Sequence, residues 1–238
     1  MTRLRLALLN AAHDDTDTKR NFRREVDADL VEFHATEGRL PDSFDFDGFL
    51  VTGSRSSVYW DEAWIQPLKD WAREAVDRGL PALGVCYGHQ LLADVLGGTV
   101  EGMGAYEIGY REITHLDNTP LFAGIDEHFL SFTSHQDAVT ELPPGATRTA
   151  ENDYGVHGFQ LGDSFGVQFH PEYDMETARL LTESKDLTDE KRAEVMGGIT
   201  EENYARAQQA KLVFENFCDY VREVKDIPRT GPSVGTPD

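Results

Sequence analysis

A chain of 238 residues, 39% of them hydrophobic, can bury one sizeable core, and either one large α/β domain or two small ones would fit. A mean hydropathy of −0.47 and the lack of a long apolar run exclude a membrane-spanning helix, while two widely separated cysteines exclude a disulfide scaffold and suit a reducing, cytoplasmic interior. With 43 acidic against 22 basic residues the formal charge is −21, so nucleic-acid backbones and anionic membranes are excluded as partners for this surface.

The predicted elements alternate in type from the start. Arg3 to Leu9 reads as a strand, and the Asn10 and His13-Asp14-Asp15 that follow do not read as a signal peptide. A helix is expected over about Thr18–Ala28, then strands at Leu30–His34 and Phe49–Thr52, the latter running into the polar loop Gly53-Ser54-Arg55-Ser56-Ser57. Ala63–Arg78 has apolar residues at helical spacing and is closed by Gly79. Pro81–Val85 is a strand, and Gln90–Leu96 a helix ended by Gly97-Gly98. Strand and helix in alternation predict a parallel sheet with helices on both faces.

Short strands at Glu107–His115, Phe129–Phe132, Ala146–Ala150, Val156–Leu161 and Phe165–Phe169 predict an antiparallel extension. After Pro171 the chain turns helical to about Val224, interrupted by a highly charged segment, Glu183–Glu202. The Pro- and Gly-rich tail from Ile227 is expected to be disordered, which leaves 1–226 as one domain. The spread of acids and the preference for Arg over Lys suit high salt, where a Debye length of about 3 Å at 1 M screens self-repulsion.

The most informative stretch is Gly84-Val85-Cys86-Tyr87-Gly88-His89-Gln90. A buried strand, a cysteine flanked two residues away on each side by glycine, and a following helix make a Gly-x-nucleophile-x-Gly elbow with Cys in place of Ser. The tight turn needs Cβ-free neighbours, and the helix start favours thiolate over thiol. A buried structural cysteine is the competing account for Cys86, and core packing is the better one for Cys218, which lies in an amphipathic helical stripe. His170-Pro171-Glu172 then follows a strand. Pro171 keeps His170 out of helical geometry, and residues two apart in an extended segment share a side, so Glu172 is placed to hold one ring nitrogen while the other faces the sulfur.

Together these motifs resemble the class I (triad) glutamine amidotransferases, and more closely free-standing proteins similar to the amidotransferase domain of GMP synthase. Val51-Thr52-Gly53-Ser54, Ser57-Val58-Tyr59, Glu107-Ile108-Gly109 and Ser134-His135-Gln136-Asp137 support the likeness. It runs from about Leu4 to Tyr173 and resumes near Lys211–Phe217. The resemblance implies a flavodoxin-like α/β fold with a central, mostly parallel sheet. It implies hydrolysis of the glutamine side-chain amide to glutamate and ammonia, with Cys86 as nucleophile, His170 as general base and acid, and Glu172 as its orienter. Backbone N–H groups of Gly53, Ser54 and Tyr87 would form the oxyanion hole, and Gln90, Ser134 and His135 would hold the amino-acid end of glutamine.

Departures are visible. Gly53-Ser54-Arg55 stands where such domains carry Gly-Gly-Pro, Gln136 replaces a glycine, and residues 175–210 have no counterpart in the short GMP synthase subunit. No cofactor is implied, and no ligand-spaced Cys/His cluster for a metal is evident in the sequence. Three functions stay open: an amidotransferase feeding ammonia to a separate synthase subunit, a stand-alone γ-glutamyl hydrolase or peptidase acting on another γ-glutamyl compound, and a catalytically silent ligand-binding regulatory module.

Overall fold

A computed structural model describes residues 3–13, 16–116 and 119–228, so most of the tail expected to be disordered lies outside the described residues. Among the described residues a single nine-stranded sheet runs β2-β1-β3-β4-β9-β8-β7-β5-β6. Its strands are β1 (Arg5–Asn10), β2 (Asp29–His34), β3 (Gly48–Val51), β4 (Ala82–Val85), β5 (Thr99–His115), β6 (His128–Glu141), β7 (Thr147–Asn152), β8 (Gly155–Leu161) and β9 (Ser164–Val167). β2, β1, β3, β4 and β9 pair in parallel, and from β9 outward every pairing is antiparallel. This is the flavodoxin-like arrangement expected, with the antiparallel extension continuing the same sheet.

Strand alternation builds a core on each face of the parallel half of the sheet. Leu4, Leu6 and Leu8 face α1 (Thr16–Glu25) and α7 (Leu212–Val224), where Phe22, Phe214, Phe217 and Val221 meet them. Ala7 and Leu9 face α2 (Ile65–Asp77) and α3 (Tyr87–Val95) across the sheet. In α2, Ile65, Leu68, Trp71, Ala72 and Ala75 form the buried stripe. Gly79 (φ 75°) ends it, its N–H donating to Val76 O while Leu80 N–H donates to Ala75 O. Among the described residues no helix is long and apolar enough to cross a membrane.

Three differences from the sequence reading have clear causes. The charged segment predicted to interrupt the C-terminal helices is itself mostly helical, forming α5 (Asp189–Gly198) and the start of α6 (Glu201–Arg206) after α4 (Met175–Ser184). Thr188 and Thr200 cap these helices by accepting from Lys191 N–H and Asn203 N–H, and acids fill both first turns. Second, β6 is far longer than Phe129–Phe132, because pairing with β5 carries it through the polar Ser134–Asp137. Third, Ile227 is not free: it packs against the core and donates its N–H to Arg222 O at 2.8 Å.

Candidate active site

Parallel strands end on one edge of the sheet, and there the chain leaves β1 at Ala12-His13, β3 at Gly53, β4 at Cys86 and β9 toward His170. Cys86 has φ 54° and ψ −102°, a conformation that side chains other than glycine rarely take, and its N–H donates to Val167 O at 2.9 Å. The glycines are required sterically. A Cβ on Gly84 would lie 2.2 Å from Gly88 O, and one on Gly88 would lie 2.2 Å from Val51 O. Helix α3 therefore begins at Tyr87, three residues before the predicted start, and the Tyr87 N–H at its first turn has no intrahelical acceptor.

His170 is pinned by its backbone, donating its N–H to Phe132 O at 2.8 Å. Its Nδ1 lies 2.8 Å from Glu172 Oε1, which leaves Nε2 for the sulfur. A Cβ at Gly53 would touch both His170 Cε1 (3.0 Å) and Cys86 Cβ (3.7 Å), so loop, ring and thiol meet at one point. Sequence reasoning missed two supports: Tyr173, whose ring stacks on His170 with centroids 4.1 Å apart, and Arg24, whose Nη2 donates to Glu172 O at 2.6 Å. Tyr173 follows the motif directly, but nothing in sequence links Arg24 to it.

Burial opposes a charged imidazole, yet the Glu172 carboxylate and the Cys86 sulfur outweigh it and push the His170 pKa up to about 10. His89 goes the other way. Packed on Phe159 with ring centroids 5.1 Å apart, it is fully buried, and that burial lowers its pKa to about 3. His170 thus contributes stability that is complete below about pH 6.5 and lost as pH rises toward 10. For His89 the unfolded chain binds the proton more readily, so stability is lost as pH falls from about 6.5 toward 3. Denaturation midpoints against pH are expected to peak near neutrality and fall on both sides, by up to about 1.4 kcal/mol per unit for each group; a curve still rising at pH 9 would contradict the His170–Glu172 pair.

Two cavities meet at the thiol. One of about 290 Å³ is lined by His13, Gly53, Arg55, Cys86, His170 and one side of α4; another of about 190 Å³ is lined by Tyr87, Gln90, Tyr106, Ser134, His135 and Asp137. Ser54, Arg55, Cys86, Ser134 and Lys185 border both. Cys86 Sγ lies 3.8 Å from Ser134 O. Gln90 lines the smaller cavity, but its Nε2 donates to Asp137 O (2.9 Å) and Gln168 Oε1 (3.1 Å). Asp137 in turn accepts from Ser57 Oγ and from Tyr59 OH (2.8 Å), tying β6 to the loop after Gly53.

His135 is also engaged. Its Nδ1 lies 2.9 Å from Asp137 O, and its Nε2 lies 2.6 Å from Glu107 Oε2, which also meets His157 Nε2 at 3.0 Å. Asn152 Nδ2 donates to Glu107 Oε1 at 2.7 Å. Among the described residues these three groups could hold a metal, their ligand atoms all lying within 4.8 Å. Sequence spacing hid the cluster because β5, β6 and β8 each supply one member. Burial would raise the Glu107 pKa, but its hydrogen bonds to both histidines dominate and hold it well below the usual carboxylate range. The trio is closed by its own hydrogen bonds, with separations of 2.6 and 3.0 Å that leave no gap for an ion between partners.

Comparison with known proteins agrees with this architecture. Over 128 residues the chain is 39% identical to a GMP synthase (glutamine-hydrolyzing) of Caldicellulosiruptor saccharolyticus, covering 52% of this chain and 24% of that one. Over 155 residues it is 34% identical to gamma-glutamyl peptidase 5 of Arabidopsis thaliana, covering 60% of this chain and 62% of that one. The chain thus spans about a quarter of the first relative and less than two thirds of the second. The crystal structure of a Thermotoga maritima glutamine amidotransferase superposes with a TM-score of 0.78 at 21% identity, covering 92% of this chain and all of that one, and so shares the fold. Residues 18–185, more than half of the chain, match the family described as glutamine amidotransferase class-I, and the chain belongs to that family.

Proposed function

We propose that the protein is a thiol hydrolase that cleaves γ-glutamyl amides, glutamine being the simplest, through a γ-glutamyl thioester on Cys86. The observation that carries this reading is the meeting of Cys86, His170 and Gly53 where two cavities join, with Glu172 behind the ring. The Cys86 thiolate attacks the amide carbon, and the developing oxyanion takes hydrogen bonds from the backbone N–H groups of Tyr87 and of the Gly53-Ser54 loop. His170 gives its proton to the departing amine and then activates water to cleave the thioester, while Glu172 holds the ring in position. Gln90, Ser134 and His135 line the lobe assigned to the glutamyl end; the bonds to Gln90 and His135 described above make them its framework, and the Ser134 carbonyl lies 3.8 Å from the sulfur. Where glutamine is the substrate, the ammonia would pass to a separate synthase subunit.

A silent regulatory module would not need the thiol, imidazole and carboxylate to converge. The test is glutamate release from γ-glutamyl amides by purified protein. His170→Ala is expected to lower the rate by about 10⁴-fold, and Glu172→Gln by less, because the second disturbs orientation without removing the base. Equal losses would show that Glu172 does more than orient.

A further inference from the structure

We infer that the preferred substrate is a γ-glutamyl compound whose leaving amine carries its own carboxylate, such as a γ-glutamyl amino acid, and that Lys185 and Arg55 receive that carboxylate. This rests on the hydrolase reading above and names its substrate class. Glutamine releases ammonia, which needs no binding lobe, yet a cavity of about 290 Å³ opens beside the thiol and joins the lobe assigned to the glutamyl end, with Arg55 and Lys185 at the border of the two.

Charge in the larger cavity is sorted. Among the described residues its two acids are already paired, Asp17 with Arg20 at 3.1 Å and Glu172 with His170 at 2.8 Å. Among the described residues neither Arg55 nor Lys185 forms a salt bridge, and Lys185 Nζ instead lies 5.4 Å from the Tyr106 ring centroid. Two cations with no salt bridge among the described residues, bordering both cavities of a protein with net charge −21, make a local attraction for an anion that the rest of the surface repels.

Lys185 is also held in place. It ends α4, and its carbonyl accepts from Arg192 Nη2 (2.9 Å) and Leu187 N–H (3.0 Å). Arg192 further donates to the carbonyls of Thr182 and Glu183 at 2.8 and 2.9 Å, locking the turn between α4 and α5. Helix α4 and the turn that follows it therefore supply a wall of this cavity rather than a detached surface. Leu180 and Leu181 on the same wall offer apolar surface to the side chain of the leaving amino acid.

In the reaction the amide C–N bond breaks as the C–S bond forms, and the amino acid departs with the proton from His170. Water then adds through its oxygen, the C–S bond breaks, and glutamate leaves with the thiolate and imidazolium restored.

Steady-state kcat/KM for γ-glutamyl-alanine, γ-glutamyl-ethylamide and glutamine, measured with the native chain, Lys185→Ala and Lys185→Arg, tests this. The native chain is expected to favour γ-glutamyl-alanine over γ-glutamyl-ethylamide by about tenfold, a preference worth about 1.4 kcal/mol. Lys185→Ala should collapse that ratio mainly through KM, and Lys185→Arg should restore it, which a merely misfolded variant would not. Equal turnover of the three substrates by the native chain would overturn the inference and leave the hydrolase reading intact. So would a uniform loss on all three in Lys185→Ala, which would place Lys185 at the glutamyl end. No turnover of any of them by the native chain would remove both.

Discussion

Cys86→Ala is expected to abolish glutamate release from every γ-glutamyl amide, a loss of roughly 10⁴-fold or more, while the fold persists. The residue is 5% exposed and its side chain is small, so removing the sulfur leaves little void. Alanine keeps the strained φ of 54°, whereas glycine takes it freely. Cys86→Gly should therefore be equally inactive but about 1 kcal/mol more stable than Cys86→Ala. Rate assays beside thermal melts read both effects. Full turnover by Cys86→Ala would remove the thioester mechanism, and a less stable glycine variant would remove the claim of strain.

Gly88→Ala should damage the fold and the chemistry together. Its Cβ would fall 2.2 Å from Val51 O and 2.8 Å from Val51 C, backbone atoms of β3 that cannot swing aside. Helix α3 would have to lift from the sheet, at a cost of about 3 kcal/mol or more, carrying Cys86 and the Tyr87 N–H away from His170. Gly197 in α5 is the control, because a Cβ there meets nothing within 4 Å. Gly197→Ala should be neutral or stabilising by up to about 1 kcal/mol. Denaturant midpoints decide between them; equal stability of the two variants would mean that the elbow glycines are not required by close approach.

The same geometry explains what could be read early. Cys86, its flanking glycines and His170-Pro171-Glu172 are local signals, since a strand-to-helix turn and an extended pair each depend on residues a few positions apart. Helix boundaries were less legible near the elbow. Gly88 argues against a helix on propensity alone, yet the chain is helical from Tyr87 because the close contact with β3 admits no other residue there. The charged stretch after Glu183 misled for the opposite reason: its lack of apolar period hid two capped helices that bury few residues, Val195 among them.

Residue types and short-range spacing alone determined the sheet's parallel half, the nucleophile turn, the family likeness and the net charge of −21. Long-range contacts decided the rest. Arg24 on Glu172, Tyr173 against His170, the Glu107–His135–His157 trio and the Lys185 wall each join segments whose proximity no local pattern encodes, or orient a ring that sequence leaves free. The physical reason is that backbone periodicity is set within a few residues, whereas electrostatic environment and cavity shape arise only when distant strands and helices pack.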